Sequence, residues 1–344
     1  MRISHLSVYV FFLIGLVLLG ATIRQVGIAD ILTAFGAVGL WMVPWIWLEI
    51  IPILLHTAGW TFCFPRRHGA VQFWQLFLLR LAGSAINQVT PTAAIGGDVV
   101  KVVLLASRLP REQATAAVVI DRTSFTVAQM FFLTLGVLYL TGRLPLSPEL
   151  QLGLGITFGL ISLGLIGFIA LQRYGLLSKS VRLLSGCNIG RSSLHRLCQH
   201  LVPFETHMAA YYIAHPWRFG LSLFLHLTAF AFRIIQNFLL FCLLLGASAP
   251  GFADTILITV AIEALDQMFF FVPGKLGTLE SIRFTILSAL GIAQMYGLAF
   301  GLIARLESLF WDCLGFLAYV WYTRTWGSRQ RIQPVASSFT PPLS

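Results

Sequence analysis

Apolar residues come in long runs along this chain, and most polar residues collect at the joints between them. The runs are 6–23, 38–64, 71–90, 92–107, 113–141, 151–172, 217–245, 252–272, 277–291 and 293–322. A helix crosses a bilayer with about 20 mainly apolar residues, and the runs 6–23, 38–64, 113–141, 151–172, 217–245 and 293–322 read as full spans. A transmembrane barrel would instead show alternation in segments of about ten residues. The pattern therefore predicts an all-α polytopic membrane protein. The first run follows a basic start but lacks a clean small-x-small cleavage site, so it reads as an uncleaved first helix.

The remaining runs are interrupted or short. Run 71–90 carries Gln72, Gln75, Arg80, Ser84, Asn87, Gln88 and Thr90. Run 92–107 is too short to span and holds Gly96, Gly97, Asp98 and Lys101; run 277–291 is also short and holds Glu280 and Arg283. Taken as pairs, 71–107 and 252–291 form two hairpins, re-entrant or built of broken helices, each entering and leaving on one side.

One spacing recurs in the two hairpins. Pro91 is followed by Asp98 seven residues later, Lys101 three later and Arg122 twenty-one later. Pro273 is followed by Glu280 seven later, Arg283 three later and Arg305 twenty-two later. The halves 38–141 and 217–322 thus read as a repeat, and repeats in transporters are parallel or inverted. Charge decides between these. With the N-terminus inside and both hairpins returning to their own side, fourteen Lys and Arg fall in cytoplasmic segments, against Arg24 and Arg143 outside. That bias is the positive-inside pattern, and it makes the repeat inverted, with both termini cytoplasmic.

Composition agrees. Only 10% of residues are charged and 57% are hydrophobic, whereas a soluble domain has about 25% charged residues. A soluble enzyme and a disordered chain are excluded. The net charge of +10 belongs to cytoplasmic loops rather than to a nucleic-acid surface. The connection 173–216 holds Arg173, Lys179, Arg182, Arg191, Arg196 and, just beyond it, Arg218, and reads as amphipathic helices on an anionic leaflet. Residues 1–325 form one integral membrane domain, and 326–344, rich in Pro and Ser, a disordered cytoplasmic tail. Five cysteines imply no disulfide framework. Cys187, His195, Cys198 and His200 match no standard zinc spacing, and no metal or cofactor is expected.

The candidate chemistry lies in charges within apolar runs. There are seven bases, Arg80, Lys101, Arg122, Arg233, Lys275, Arg283 and Arg305, and eight acids, Glu49, Asp98, Asp121, Glu263, Asp266, Glu280, Glu307 and Asp312. Each such charge costs about 2.5–3.5 kcal/mol at a helix centre by insertion scales, so the set must pair or line a wet cavity. A helix starting at Gly96-Gly97-Asp98 offers free amides to an anion, and Pro273-Gly274-Lys275-Leu276-Gly277 makes the same turn with a lysine added. Asp98–Lys101 and Glu280–Arg283 read equally as pairs that neutralise each other. Glu49 and His56 read as a packed polar pair, and His226, Arg233, Gln236 and Asn237 as one stripe facing the cavity or a neighbouring helix. There is no HExxH, GxSxG or P-loop, so no catalytic residue is assigned.

Asn87-Gln-Val-Thr90-Pro91-Thr-Ala-Ala-Ile-Gly96-Gly97-Asp98-Val-Val-Lys101, with Asp121-Arg122 downstream, resembles the flippase-type membrane domain of lysylphosphatidylglycerol synthases. Pro273-Gly274-Lys275-Leu276-Gly277-Thr278-Leu279-Glu280 and Arg305 resemble that family's second motif. The likeness covers about 1–325. It implies transfer of a lipid between leaflets in the bacterial inner membrane, with a separate cytoplasmic enzyme making the lipid. Where relatives carry glycines after the first proline, this chain has Thr92-Ala93-Ala94, which leaves the headgroup open, and no synthase domain is expected. The resulting expectation is a lipid transporter that is not an enzyme. Its headgroup site would be built from Arg80, Asn87, Thr90, Gly96, Gly97, Asp98, Lys101, Arg122, Arg233, Glu263, Asp266, Lys275, Glu280, Arg283 and Arg305. Partners are membrane lipids and a lipid-synthesising enzyme, not nucleic acid; an oligomer is left open. The rival readings are an intramembrane lipid transferase and a scaffold that recruits a soluble synthase.

Overall fold

The computed structural model describes Arg24 and residues 28–64, 71–89, 95–143, 148–174, 205–268 and 277–325. Every regular element among them is helical. The described chain enters through α1 (Ile28–Val38), one 3-10 turn at Gly39–Trp41, and a rod made of α2 (Met42–Leu48) and α3 (Ile50–Thr61). A medium, a short and a long helix follow: α4 (Phe73–Val89), α5 (Gly96–Leu105) and α6 (Arg111–Arg143). Then come α7 (Pro148–Arg173), a helical segment at 205–214, and α8 (Pro216–Leu245). The medium, short and long order returns in α9 (Phe252–Met268), α10 (Thr278–Ala289) and α11 (Gln294–Thr325).

Among the described residues, four stretches are long and apolar enough to cross a membrane: Phe35–Thr61, Arg111–Tyr139, Gly155–Arg173 and Pro216–Ser248. The protein is a helical membrane protein. α11 has 32 residues, about 48 Å of helix at 1.5 Å per residue, but Arg305, Glu307 and Asp312 take it out of the apolar class. The run 6–23, Thr90, Pro91, Pro273, Lys275, most of the connection 173–216 and the tail 326–344 lie outside the described residues.

Local chemistry sets the helix ends. Pro216 opens α8 with φ already fixed for a helix, and Gly246, at φ +54°, closes it. Gly277, at φ +71°, turns the chain into α10. The rod breaks at Glu49 because Pro52 has no N–H for the Leu48 carbonyl four residues back. Residues 28–38, between the first two apolar runs, are helical. Val38 is buried and anchors α1 among Leu240, Leu244 and Phe300.

The described residues form four apolar clusters, two of them larger than the others. One gathers Trp60, Leu79, Leu105, Ile120, Tyr211 and Tyr322. The other gathers Val38, Trp45, Phe241, Ile258, Leu287 and Phe300. The helix stretches between these two sets carry most of the buried charges. α4 packs along α11, α3 along α8, and α6 against α8 and α9; α5 joins α4 to α6, and α10 joins α9 to α11. Bare backbone permits the closest crossings. A Cβ on Gly97 would collide with the Gly83 carbonyl of α4, and one on Gly315 with the Leu81 carbonyl.

Candidate functional site

A cavity of about 460 Å³ opens in the middle of the bundle. Charged side chains reach it from seven helices: Arg80 on α4, Lys101 on α5, Asp121 and Arg122 on α6, Arg233 on α8, Glu263 and Asp266 on α9, Arg283 on α10, and Glu307 and Asp312 on α11. Glu49 and His56 join from the rod. Burying so many charges is favourable only with partners, and the partners fall into three groups.

The first group ties α4, α5 and α6 together. One Arg80 Nη atom donates to both Asp121 oxygens at 2.8 Å. Asp121 Oδ1 lies 3.3 Å from His226 Nε2, and His226 Nδ1 lies 2.8 Å from His56 Nδ1. Two facing Nδ1 atoms need one proton between them, so one ring donates and the other accepts. Lys101 Nζ donates to Asp98 Oδ1 at 2.9 Å, and Arg122 Nε stands 3.8 Å from Asp98 Oδ2. Arg80 and Lys101 also lie over the Trp60 ring. The Gly97 amide does not face outward: it donates to Asn87 Oδ1 at 2.6 Å.

The second group centres on Arg233. Its guanidinium reaches Glu49 Oε1 at 2.8 Å, Glu307 Oε2 at 3.6 Å and Gln236 Oε1 at 3.2 Å. Gln236 Nε2 donates in turn to Glu307 Oε1, and Asn237 Nδ2 donates to Thr259 at 3.0 Å. The third group belongs to α10. Arg305 grips Glu280 as a fork, at 2.8 and 3.3 Å. Arg283 donates to the Leu279 carbonyl at 3.0 Å and to Asp266 at 3.4 Å.

Beside the charged cavity lies an apolar groove of about 430 Å³. Val99, Val103, Val119 and Phe168 line it, with Thr126 and Arg122 at its polar edge. Arg122 is therefore in the wall of both spaces. Its side chain is 47% exposed, against 10% for that of Arg305.

The model of the lysylphosphatidylglycerol synthase TM region matches residues 7–314. The chain belongs to this family. A UPF0104 membrane protein of Methanocaldococcus jannaschii is 26% identical over 281 residues, covering 79% of this chain and 81% of the relative. Another, from Methanothermobacter thermautotrophicus, is 32% identical over 132 residues, covering 38% and 39%. No solved structure matches.

Within this member of the lysylphosphatidylglycerol synthase TM family, Arg80, Asn87, Lys101, Arg122, Arg233, Glu263, Asp266 and Arg283 come together at the cavity. Gly96, Gly97 and Asp98 stand in the first turn of α5. Glu280 and Arg305 pair with each other and are not among the lining residues. Thr90 and Lys275 fall outside the described residues. Glu49 and His56 do not form the pair expected of them: Glu49 turns to Arg233 and His56 to His226. Glu307 and Asp312, two of the acids expected to pair or line a wet cavity, do line it with Ser308, although the expected headgroup set left all three out. Their signal was periodicity, because Phe300, Ala304, Glu307, Ser308, Trp311 and Asp312 recur at helical spacing and all line the cavity. Arg305 is one position off that stripe.

Proposed function

We propose that this protein carries a lipid with an anionic headgroup, a phospholipid or lipid-linked polar group, between the two leaflets, and performs no chemistry on it. The observation that carries this reading is the charged cavity joined to the apolar groove through Arg122. A phosphate beside Arg122 has room for its polar part among Arg80, Lys101 and Arg233, and for a hydrocarbon chain against Val99, Val103 and Phe168. The family name, taken from a lipid synthase, supports a lipid as cargo.

The movement is read as alternating access of two inverted halves, 38–141 and 217–322. Three observations support this. The medium, short and long helices recur in order. In each set the acid of the short helix meets the arginine of the next long helix, Asp98 with Arg122 and Glu280 with Arg305. The contacts between sets are reciprocal: α4 lies on α11, and α9 lies on α6. The reading has six full spans, two hairpins and both termini cytoplasmic in a bacterial inner membrane, with residues 1–325 as one domain. A separate enzyme supplies the lipid.

The test uses vesicles holding purified protein and phosphatidylglycerol labelled on one chain. Dithionite added outside should bleach the inner pool faster than in protein-free vesicles, and no new lipid product should form when donor lipids are added. Bleaching that stops at the outer leaflet would overturn transport, and a new product would favour the transferase. Analysis of lipids that co-purify would name the headgroup.

A further inference from the structure

Glu49 and Glu307 are paired differently from Asp121, Asp98, Glu280 and Asp266. Asp121 has Arg80 at 2.8 Å, Asp98 has Lys101 at 2.9 Å, Glu280 has Arg305 at 2.8 Å and Asp266 has Arg283 at 3.4 Å. Glu49 and Glu307 share the single guanidinium of Arg233, at 2.8 and 3.6 Å. Glu49 Oε2 is buried and has no hydrogen-bond partner among the described residues. Two buried carboxylates on one cation leave a surplus negative charge, and a proton removes it at least cost.

Among the described residues, no cation other than Arg233 lies within 4 Å of either carboxylate. The elements packed around them carry Arg80 on α4, Asp98 and Lys101 on α5, Asp121 and Arg122 on α6, His226 on α8, Glu263 and Asp266 on α9, Glu280 and Arg283 on α10, and Arg305 and Asp312 on α11, with His56 on α3. Each of these bases has an acid within 4 Å, Lys101 and Arg122 sharing Asp98. Glu263 adds a further negative charge near Arg233. With all of them ionised and histidine neutral, these groups together with Arg233, Glu49 and Glu307 hold six bases against eight acids. The surplus is negative.

We propose that Glu49 and Glu307 hold one exchangeable proton between them and that this proton travels with the anionic lipid. The inference rests on the transport reading above. With the proton bound, the lining is less negative by one charge and accepts an anionic headgroup; with it lost, the added negative charge repels the headgroup. Proton and lipid therefore favour each other's binding, and by linkage the preference is mutual. The site also joins the halves: Glu49 marks the bend between α2 and α3, while Arg233 and Glu307 belong to α8 and α11. Lipid then moves from the acidic side to the alkaline side. For one proton per lipid, one unit of pH gradient is worth about tenfold in the steady-state leaflet ratio.

Two measurements test this. Infrared difference spectra of the purified protein, taken between mildly acidic and mildly alkaline buffer, should show a protonated-carboxyl band that shifts in D2O. Glu49→Gln and Glu307→Gln should each remove it, while Asp312→Asn should leave it. Absence of the band in the unaltered protein, or its loss only in Asp312→Asn, overturns the site. In the labelled vesicles, an imposed pH gradient should enrich the lipid in the leaflet on the alkaline side, and Glu307→Gln should abolish the difference between gradient and no gradient. Lipid movement indifferent to the gradient overturns coupling and leaves transport standing. A titrating band in a protein that moves no lipid supports the proton site and overturns transport.

Discussion

Arg122 and Arg305 stand at matching places in the sequence but are held differently. Arg305 is clamped by both Glu280 oxygens, while Arg122 has Asp98 only at 3.8 Å, lies over the Phe125 ring and keeps nearly half its side chain exposed. Arg305→Ala leaves Glu280 buried without its cation, at a cost of about 3–5 kcal/mol. The protein level and melting temperature should fall, and pairing the change with Glu280→Leu should restore most of the loss. Arg122→Ala breaks no such clamp. Its melting temperature should stay near that of the unaltered protein while dithionite-accessible lipid movement is lost. Arg122→Lys keeps the charge without the planar fork and should retain part of the movement. If Arg122→Ala melts well below Arg305→Ala, the assignment of the two roles is wrong.

The helices themselves were largely legible. The run 113–141 became Arg111–Arg143, and 217–245 became Pro216–Leu245, because in a bilayer the same apolar residues mark both length and burial. Distances across the bundle were not legible. Nothing local tells Glu49 to choose Arg233 over His56, since that choice depends on how α3 lies along α8. Helix crossings make a further test. At Gly97 and Gly315 an added methyl meets backbone, which cannot swing aside, whereas at Gly159 on α7 it meets open space. Gly97→Ala and Gly315→Ala should destabilise by about 1–3 kcal/mol, and Gly159→Ala by no more than about 0.5 kcal/mol. Melting curves of the three variants in one detergent check the order.

For the whole molecule, the two sets of helices are predicted to face opposite sides of the bilayer. Single cysteines at Ser248→Cys and Thr325→Cys, both exposed in the structure, separate the possibilities in a cysteine-free background. An impermeant thiol reagent should label Ser248→Cys in intact cells and Thr325→Cys only after lysis. The opposite result reverses the topology, and equal labelling of both rejects an inverted arrangement. This side assignment rests on the positive-inside count, which depends on composition rather than on packing. The α5–α6–α7 groove was not legible, because its valines look like any lipid-facing surface until Arg122 is seen at its edge.

That edge also dictates how the protein would be blocked. A small anion occupies only the cavity, and a detergent tail only the groove, so each should bind weakly and exchange fast. A single molecule with an anionic head and a stiff tail, joined at the distance Arg122 sets, makes the second contact intramolecular. It gains affinity through effective concentration alone, by about 10²–10⁴ over either part when the linker fits. Inhibitor strength should therefore peak at one linker length, and Arg122→Ala should flatten that optimum.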